Sequence, residues 1–575
     1  MCGILYTKLK SPYIDRTSFI SIFEQALDLM SYRGPDARGV KIVNDHYFGH
    51  VRLSIVDLSD QSNQPVEDDN HIMIFNGEIY NYKTIEPESS SDTRTLFKIM
   101  KNESNPFEKI RGMFAFGWFE KKTEKITFYR DFFGEKPLYY YNDDEICIVS
   151  STLKSITYIL KKIGKIVKIN KRAIEQDFLL FGYIRSPETI WEGIMEVPPG
   201  HCLDITNGCT INSLFFNIRS SSYEWNSSDY IKNTFLSSDV SGTLLLSGGI
   251  DSTFLLSKAV EENIPLQIGI YKAETKEIDE SETAFENIKK MKINAKDFPL
   301  TVLSSNEIKE IDIDDFVKIL EQPTSDGLNV FHLLKHLKKD QRKLKLVYTG
   351  LGGDELFGGY PTFYNFKLIC VLLRIPFSDA FFPVLRRFKK GRDLLDQWDP
   401  DVYSFLYRIN FNEFITLQRK GLSLKAIFEK YKKSLLLVPQ EVSIQNFNPM
   451  MLIKKNETFM YGNNQLMRDN DNIAMHLGLE SRSPLLNPDW YNQLPDKKNR
   501  LKNNLRSKFN IVFGKKRGFT LDETLYKKKY IDYIRSNENC YEKINIHVPN
   551  DLNSKHLREL RAFAILGGWL KYNNI

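Results

Sequence analysis

The stretch "LLLSGGIDST", residues 244–253, indicates the fold class of the longer part of this 575-residue chain. Three leucines form a short apolar run, and two glycines follow before a helical pattern begins. Glycine lets the backbone approach phosphate oxygens closely, and the first amides of the next helix point towards them. The spacing is not that of a Walker A loop, GxxxxGK followed by serine or threonine. It predicts a different phosphate-binding turn, between a buried strand and a helix.

The residues after this turn continue the same alternation. "TFLLSKAVEE" (253–262) has helical spacing, and "LQIGIYK" (266–272) and "LKLVYTG" (344–350) are typical of buried strands. Strands that alternate with helices indicate a parallel sheet. The last two hundred residues are mostly helix-like. We therefore expect residues 231–575 to form a parallel-sheet α/β domain with a helical C-terminal part.

The residues before the turn have a different pattern. Short aromatic and β-branched runs separated by polar turns predict strands at "HIMIFNGEIYNY" (71–82), "FAFGWFE" (114–120), "KITFYRD" (125–131) and "EICIVS" (145–150). The serine-rich segment from Phe215 to Tyr230 predicts a linker. We expect a β-rich domain over residues 1–212 and a linker over 213–230.

Composition excludes several classes of protein. Hydrophobic residues make up 42 % of the chain, and 79 basic against 73 acidic residues leave a net charge of +6. This small excess, without a long run of one sign, does not favour nucleic-acid binding. None of the six cysteines forms a CxxC pair, so a zinc site is not expected. No apolar run reaches membrane-spanning length and no signal-peptide pattern is present, so we expect a cytoplasmic protein.

The N-terminal residues "MCG" place a thiol where it can become the first side chain of the chain. If Met1 is removed, Cys2 carries both a thiol and a free α-amine. The amine titrates near ~8 and the thiol near ~8.5, so the amine can act as the base for its own thiol. A cysteine at position 2 is often incidental, and its significance depends on the motifs that accompany it.

Six motifs follow Cys2 in a recognisable order. They are "SYRGPDARG" (31–39), "GHVRLSIVDLS" (49–59), "NQPV" (63–66), "FNGEIYNY" (75–82), "SSDT" (90–93) and "YRDFFGEKPLYY" (129–140). Together, over about residues 2–160, they resemble the class II glutamine amidotransferase domain, an N-terminal-nucleophile (Ntn) hydrolase. The resemblance implies an αββα sandwich that hydrolyses glutamine.

The resemblance also implies roles for individual residues. Cys2 would be the nucleophile, and Asn76 with the N–H of Gly77 would hold the oxyanion. The residues that would bind glutamine are Arg52, Glu78 and Asp92. The chain departs from the family at Phe132, where a second arginine is usual, at Arg94, and in a short segment before Asp92.

A second group of motifs surrounds the opening stretch. They are "EIDESETA" (277–284), "EQPTSDGLN" (321–329), "TGLGGDELFGGY" (349–360), "MRDNDNIAMHLGLESRSPLLN" (467–487) and "KKRGFT" (515–520). With SGGIDS they resemble the PP-loop ATP pyrophosphatases. With the N-terminal motifs, they make nearly the whole chain resemble the glutamine-hydrolysing asparagine synthetases.

This resemblance implies that the protein binds ATP and Mg²⁺ in its second part. Asp251 and Asp354 would hold the metal, and Lys516 would neutralise the phosphates during catalysis. The residues implied for ATP and pyrophosphate are Leu246, Ser247, Gly248, Gly249, Asp251, Ser252, Gly350, Gly352 and Gly353. Those implied for the acceptor substrate are Asp279, Glu321, Asp326, Leu351 and Glu355. Glu480 and Arg482 are interpreted instead as a structural or interdomain pair.

The implied reaction activates a carboxylate as an acyl-adenylate, which ammonia from glutamine then converts to an amide. Its partners are small molecules, with no nucleic acid or membrane, and a homodimer is compatible with the family. Aspartate is the family's acceptor. Leu351, however, stands where the family often has an acid that could meet an ammonium group, so a uronic acid of a surface sugar is the alternative. A non-catalytic protein with a relic fold is a third hypothesis, which the retained motif residues argue against.

Overall fold

The computed structural model describes most of the chain. The described residues are 2–205, 210–213, 229–273, 279–304, 312–365, 408, 424–437, 449–491, 498–511, 513–514, 526–553, 555 and 557–575. The predicted linker is described only at its two ends.

Two antiparallel sheets form the N-terminal part. The first contains β1 (Cys2–Leu9), β2 (Ala37–Val43), β3 (His46–Arg52), β8 (Tyr139–Asn142), β9 (Ile146–Ser150) and β10 (Met195–Glu196), in the order β10-β8-β9-β1-β3-β2. The second contains β4 (Val66–Glu67), β5 (His71–Ile79), β6 (Gly112–Glu120), β7 (Lys125–Arg130), β11 (His201–Asp204) and β12 (Thr210–Ser213), in the order β12-β11-β7-β6-β5-β4. The four strands predicted from the sequence are β5, β6, β7 and β9.

The side chains of β1 show why the two sheets stack. Successive strand residues point to opposite faces, so Ile4 and Tyr6 pack into the core between the sheets. Leu5 and Leu9 pack on the other face, in a core that includes residues of α1 (Arg16–Asp28) and α4 (Leu153–Lys162). Helix α3 (Asp92–Asn102) contacts β5 in the second sheet. The result is the αββα sandwich that the sequence predicts.

The second part is built on a five-stranded sheet. Its strands are β13 (Gly242–Leu245), β14 (Gln267–Lys272), β15 (Leu300–Ser304), β16 (Leu346–Tyr348) and β17 (Glu480–Arg482), in the order β15-β14-β13-β16-β17. Every neighbouring pair is parallel. The chain order changes direction on either side of β13, and ligands of such sheets bind where the strands' carboxyl ends meet at this point. The loops after β13 and β16 therefore meet at the expected ligand site.

The remaining helices of the described residues lie in both parts, most of them in the second. They are α2 (Tyr82–Ile85), α5 (Lys171–Ala173), α6 (Leu179–Phe181), α7 (Asp229–Leu236), α8 (Ile250–Glu261), α9 (Ser281–Lys290), α10 (Ile313–Ile319), α11 (Leu328–Asp340), α12 (Gly353–Phe357), α13 (Leu424–Leu436), α14 (Pro449–Lys455), α15 (Arg468–His476), α16 (Lys498–Phe509), α17 (Lys527–Ser536), α18 (Glu538–Lys543) and α19 (Leu557–Tyr572). Ile174–Phe178 and Asn456–Met467 are π-helical, and Ser31–Arg33, Asp60–Ser62, Pro106–Glu108 and Pro488–Trp490 are 3₁₀ turns. The helical C-terminal part is as predicted.

Candidate active site

Cys2 lies at the start of β1, opposite Arg52 of β3. Its side chain is buried, its thiol accepts a hydrogen bond from the Leu53 N–H, and its own N–H donates to Asn76 Oδ1 at 3.1 Å. Burial raises the pKa of the thiol to about 11, although the positive N-terminus lowers it. A thiol with this pKa is protonated at neutral pH, so nucleophilic attack requires a base close to the sulfur.

Asn76 and Gly77 lie together on β5, next to Cys2. The Asn76 side chain is fully buried, and its Nδ2 donor has no hydrogen-bond partner among the described residues. A buried unpaired donor costs about 1–3 kcal/mol, so its retention indicates a ligand acceptor. Gly77 has φ of 150°, and a Cβ there would lie 2.1 Å from the Met113 carbonyl oxygen. The geometry therefore suits the predicted oxyanion-binding role of Asn76.

Arg52 holds the loop that follows β3. Its Nη1 donates to the Ser59 carbonyl at 2.7 Å and to Asn63 Oδ1 at 2.9 Å. Its Nη2 donates to the Val56 carbonyl at 3.3 Å and to the Asp57 carbonyl. These bonds order the loop beside the nucleophile. The predicted contact of Arg52 with the glutamine carboxylate remains a prediction.

An excess of negative charge is buried near the nucleophile. Asp92 accepts from the Ile79 N–H at 3.0 Å and the Thr93 N–H at 2.6 Å, and burial raises its pKa to about 6. Burial and the nearby carboxylates of Glu480 and Asp92 raise the pKa of Glu78 well above its usual range. A cationic group would relieve this repulsion. Glu78 and Asp92 therefore suit the ammonium group of an amino-acid ligand.

Arg482 is the cation already inside this acidic cluster. Its guanidinium lies 2.5 Å from Glu480 and 3.4 Å from Glu78, and it donates to the Thr234 and Ser237 carbonyls at 2.9 Å. Glu480 and Arg482 belong to β17 of the parallel sheet, whereas Glu78 belongs to the sandwich. The prediction of a structural interdomain pair is therefore confirmed.

The SGGIDS turn lies between β13 and α8, as predicted. Ser247 Oγ and Ser252 Oγ are 3.2 Å apart across the turn. Gly248 has φ of 79°, and a Cβ there would lie 3.0 Å from the Ala284 nitrogen and the Glu280 oxygen. The turn lines a cavity of about 590 Å³. Ten of the predicted residues line this cavity: Leu246, Ser247, Gly248, Gly249, Asp251, Ser252, Asp326, Gly350, Leu351 and Asp354.

The two predicted metal ligands, Asp251 and Asp354, share one cationic partner. Lys498 Nζ lies 2.6 Å from Asp251 Oδ2 and forms an ion pair with Asp354. Two adjacent carboxylates that hold one cation are hard oxygen donors of the kind that Mg²⁺ prefers. Within the described residues, no group of three or more His, Cys, Asp and Glu side chains could hold a metal ion.

A second acidic pair lies in the same cavity. Asp326 and Asp469 both line it, and Asp469 Oδ2 accepts from Thr324 Oγ1 at 2.7 Å. Burial, reinforced by the charge of Asp326, raises the pKa of Asp469 to about 8. Leu351 lines the cavity without contributing a charge. This pair provides carboxyl groups in the cavity that also contains the apolar Leu351.

Several predicted residues lie elsewhere. Asp279 accepts from the Ala273 and Ser281 N–H groups at the start of α9, so its role here is to cap a turn. Glu321 accepts from Tyr32 OH and the Lys154 N–H, both at 3.0 Å, and so lies between the two parts of the chain. Neither carboxylate is among the residues that line the cavity, and the predicted contact of each with the acceptor remains a prediction.

Three further predictions have different outcomes. Glu355 is buried, accepts from Tyr360 OH, and has its pKa raised to about 7 by burial and by Asp354. Gly352 and Gly353 pack beneath the cavity, where a Cβ would meet Leu486 or Asp251 within 2.5 Å. Lys516 lies outside the described residues.

Two residues of the cavity, Lys498 and Asp469, were not predicted from the sequence. Asp469 belongs to the motif at residues 467–487, so its position was available as a signal. Lys498 lies in the lysine-rich run "DKKNRLK" (496–502), which is typical of a solvated helix surface. Nothing local distinguishes it, and only the fold brings it to the two aspartates.

Comparison with known protein families agrees with this architecture. Residues 1–216 match the family model of the glutamine amidotransferase domain, and residues 233–492 match that of asparagine synthase. The chain thus joins a sandwich with a buried Cys2 thiol to a parallel sheet with a glycine-rich turn, in the order of these two family models. In both parts the chain is similar to the glutamine-hydrolysing asparagine synthetases.

Individual relatives are similar to this chain at moderate identity. A putative asparagine synthetase 2 of Methanocaldococcus jannaschii is 37 % identical over 195 residues, 29 % of this chain and 38 % of that protein. Asparagine synthetase 1 of Bacillus subtilis is 30 % identical over 63 % of this chain and 59 % of that protein. A putative asparagine synthetase of Mycobacterium tuberculosis is 26 % identical over 82 % of this chain and 77 % of that protein. The match therefore spans less than two thirds of the first two relatives.

Similarity to solved structures and the length of the apolar helices were also compared. The allosteric regulatory enzyme of purine biosynthesis is similar at 12 % identity and a TM-score of 0.28, over 53 % of this chain and 80 % of that chain, which is too low to bear on the fold. No helix among the described residues is long and apolar enough to cross a bilayer.

Proposed function

We propose that this protein is a glutamine-dependent, ATP-consuming amidotransferase that converts aspartate to asparagine, with release of AMP, pyrophosphate and glutamate. The observation that carries the proposal is the presence of two complementary sites in one chain. One is a buried thiol beside the unpaired amide donor of Asn76. The other is a cavity lined by the SGGIDS turn and by Asp251 and Asp354.

In the first half-reaction, the Cys2 sulfur attacks the amide carbon of glutamine. After removal of Met1, the α-amine of Cys2 takes the thiol proton and passes it to the leaving nitrogen. Asn76 Nδ2 donates to the oxyanion of the tetrahedral intermediate. The carbon–nitrogen bond breaks, ammonia departs, and water hydrolyses the thioester to glutamate and free thiol.

In the second half-reaction, an acceptor carboxylate oxygen attacks the α-phosphorus of ATP and pyrophosphate leaves. The backbone of the SGGIDS turn binds the phosphate oxygens as they gain charge. Asp251 and Asp354 would hold Mg²⁺, which when bound supplies positive charge opposite these oxygens. Ammonia then attacks the acyl carbon, the bond to AMP breaks, and the amide is formed.

The choice of acceptor depends on the acidic pair in the cavity. An ammonium group buried without a partner costs several kcal/mol, and Asp326 with Asp469 can provide that partner although Leu351 cannot. This supports aspartate. The alternative acceptor, a uronic acid, has no ammonium group and is favoured only by the apolar Leu351.

The deciding experiment measures pyrophosphate release with ATP, Mg²⁺ and ammonium, with either aspartate or glucuronate as acceptor. Turnover with aspartate, and a rise of at least about tenfold in its KM for Asp326→Asn, support the proposal. Leu351→Glu should spare aspartate. Turnover with glucuronate but not with aspartate would show that a uronic acid, not aspartate, is the acceptor. Silence with both, in a protein that hydrolyses glutamine, would refute the synthetase half.

A further inference from the structure

Three buried charged side chains join the two parts of the protein directly behind Cys2. Asp471 lies on α15, in the parallel-sheet part, and its two carboxylate oxygens have separate partners in the sandwich. Arg33 Nη2 lies 2.8 Å from Asp471 Oδ2, and Lys136 Nζ lies 3.0 Å from Asp471 Oδ1. The side chains of Arg33, Lys136 and Asp471 are 1 %, 1 % and 4 % exposed, so water does not screen these pairs.

Arg33 extends this cluster to the nucleophile. Its Nε donates to the carbonyl oxygen of Cys2 at 3.1 Å, while Nη2 of the same guanidinium binds Asp471. A guanidinium is planar and rigid, so a residue that holds one of its N–H groups also sets the direction of the others. Asp471 thus lies one side chain away from the peptide group of Cys2.

The helix that carries Asp471 also reaches the other site. Its residues Asp469 and Asn470 line the 590 Å³ cavity of the SGGIDS turn. Consecutive residues of α15 therefore line the cavity of the SGGIDS turn on one side and contact Arg33 and Lys136 on the other. Any change in the position of α15 that follows ligand binding would change the direction of the Arg33 guanidinium.

We propose that Asp471 is a positioning residue for glutamine hydrolysis, supplied to the sandwich by the parallel-sheet part. It holds Arg33 in the orientation that binds the Cys2 carbonyl, so the nucleophile is correctly placed only when α15 is docked. The proposal rests on the proposed function of Cys2 and goes beyond it, because it makes the glutamine site incomplete without the second part of the chain.

The structure contains a matched control. Asp489 is also a carboxylate of the second part that binds an arginine of the sandwich, with both oxygens 3.1–3.2 Å from Arg111. The Arg111 side chain has hydrogen-bond partners at Glu108, Ile110 and Asp489, none of them at Cys2. If Asp471 acted only by holding the two parts together, Asp489→Asn would lower the same two rates, although by less because the Arg111–Asp489 pair is 16 % and 19 % exposed.

The experiment compares the full-length protein with Asp471→Asn and Asp489→Asn. The first readout is the ratio of glutamine-dependent to ammonium-dependent pyrophosphate release, which corrects for misfolded protein. The second is the rate at which the glutamine mimic 6-diazo-5-oxonorleucine labels Cys2, located by mass spectrometry. We expect Asp471→Asn to lower both at least tenfold and Asp489→Asn to change neither by more than about twofold.

Equal effects of the two variants, or no effect of Asp471→Asn, would overturn the proposal. If Asp471→Asn does not fold, Asp471→Glu keeps the buried charge and is measured in the same way, with the same expected loss. Failure of the wild-type protein to be labelled at Cys2 would instead refute the proposed glutamine site. The two failures are therefore distinguishable.

Discussion

At the scale of single residues, the proposed chemistry depends on polar groups that the fold leaves unsatisfied or in excess. Asn76 has a buried amide donor with no partner among the described residues. Glu78 and Asp92 are buried close enough for their charges to raise the pKa of Glu78. Each arrangement destabilises the protein without ligand. A hydrogen-bond acceptor would satisfy Asn76, and a cationic group would reduce the repulsion between the two carboxylates. Such groups indicate binding sites more directly than the fold does.

Replacing the nucleophile separates the two half-reactions. Cys2→Ala should abolish glutamine-dependent amide formation. Synthesis from added ammonium should stay intact, because other residues form the cavity of the SGGIDS turn. Amide formation with each nitrogen donor is the measurement. Glutaminase activity at the wild-type level in Cys2→Ala would contradict the assignment.

Asp92→Asn should stabilise the protein at neutral pH while lowering its affinity for glutamine. The folded pKa of Asp92 is raised from 3.8 to about 6, so its favourable contribution is present below about pH 4 and lost as pH rises through 6. The substitution removes the unfavourable buried charge, and the free energy of unfolding at pH 7.5 should rise by about 1–2 kcal/mol. Urea unfolding at pH 7.5 and pH 4 tests this, with no gain expected at pH 4.

Lys498→Met should make the protein dependent on Mg²⁺ for stability. The substitution removes the cation that Asp251 and Asp354 share, so repulsion between the two carboxylates should destabilise the folded protein. We expect a lower melting temperature, which millimolar Mg²⁺ restores by more than it raises that of the wild type. The control is Lys508→Met on the same helix, whose partner is Glu261 on the surface side. Equal responses of both variants to Mg²⁺ would argue against a metal site at the aspartates.

At the scale of elements, the strand–turn–helix unit β13–α8 was predictable because it combines two local signals. The apolar run of β13 predicts a buried strand, and the glycines predict a turn that L side chains disfavour. The structure adds the position of this unit at the centre of the sheet, where the loop after β16 brings Gly350 and Asp354 beside it. Strand order depends on non-local pairing, so the sequence alone did not specify it.

Gly248→Ala should impair ATP use much more than Gly249→Ala. Gly248 has φ of 79°, and its Cβ would contact backbone atoms of Glu280 and Ala284 at 3.0 Å. Gly249 has φ of −69°, and its Cβ would meet only Ser247 Oγ at 3.2 Å. A non-glycine residue in the left-handed region costs about 1–2 kcal/mol. We expect at least a tenfold rise in the KM for ATP with Gly248→Ala, measured by pyrophosphate release, and less than threefold with Gly249→Ala.

At the scale of the whole molecule, the interface between the two parts is charged as well as apolar. Arg482, Asp471 and Glu321 of the second part all contact residues of the sandwich. A small interdomain cavity of about 20 Å³ is lined by Arg33, Arg130, Glu135, Glu321, Arg468 and Asp471 among others. Ammonia transfer between the sites remains a prediction, and charged groups line this part of the interface.

Arg482→Met should destabilise the whole molecule severely. The substitution removes the cation that faces Glu78 and Glu480, both buried, and breaking such a pair costs about 3–5 kcal/mol. Arg111→Met breaks a partly exposed interdomain pair, at 16 % and 19 % side-chain exposure, and should cost less. Thermal unfolding of both variants tests this, and an equal loss of melting temperature in the two variants would contradict it.

The sequence by itself determined the two fold classes, the position of the thiol and the phosphate turn, because these follow from local periodicity, glycine placement and motif order. It also predicted a metal-binding role for Asp251 and Asp354, which both line the cavity, and a pair formed by Glu480 and Arg482. Only the tertiary structure decided that Asp279 caps a turn, that Asp469 joins Asp326 in the cavity, and that Asp471 lies behind Cys2. The reason is physical: electrostatic contacts depend on distance in space, and Asp471 lies 438 residues from its partner Arg33 in the chain.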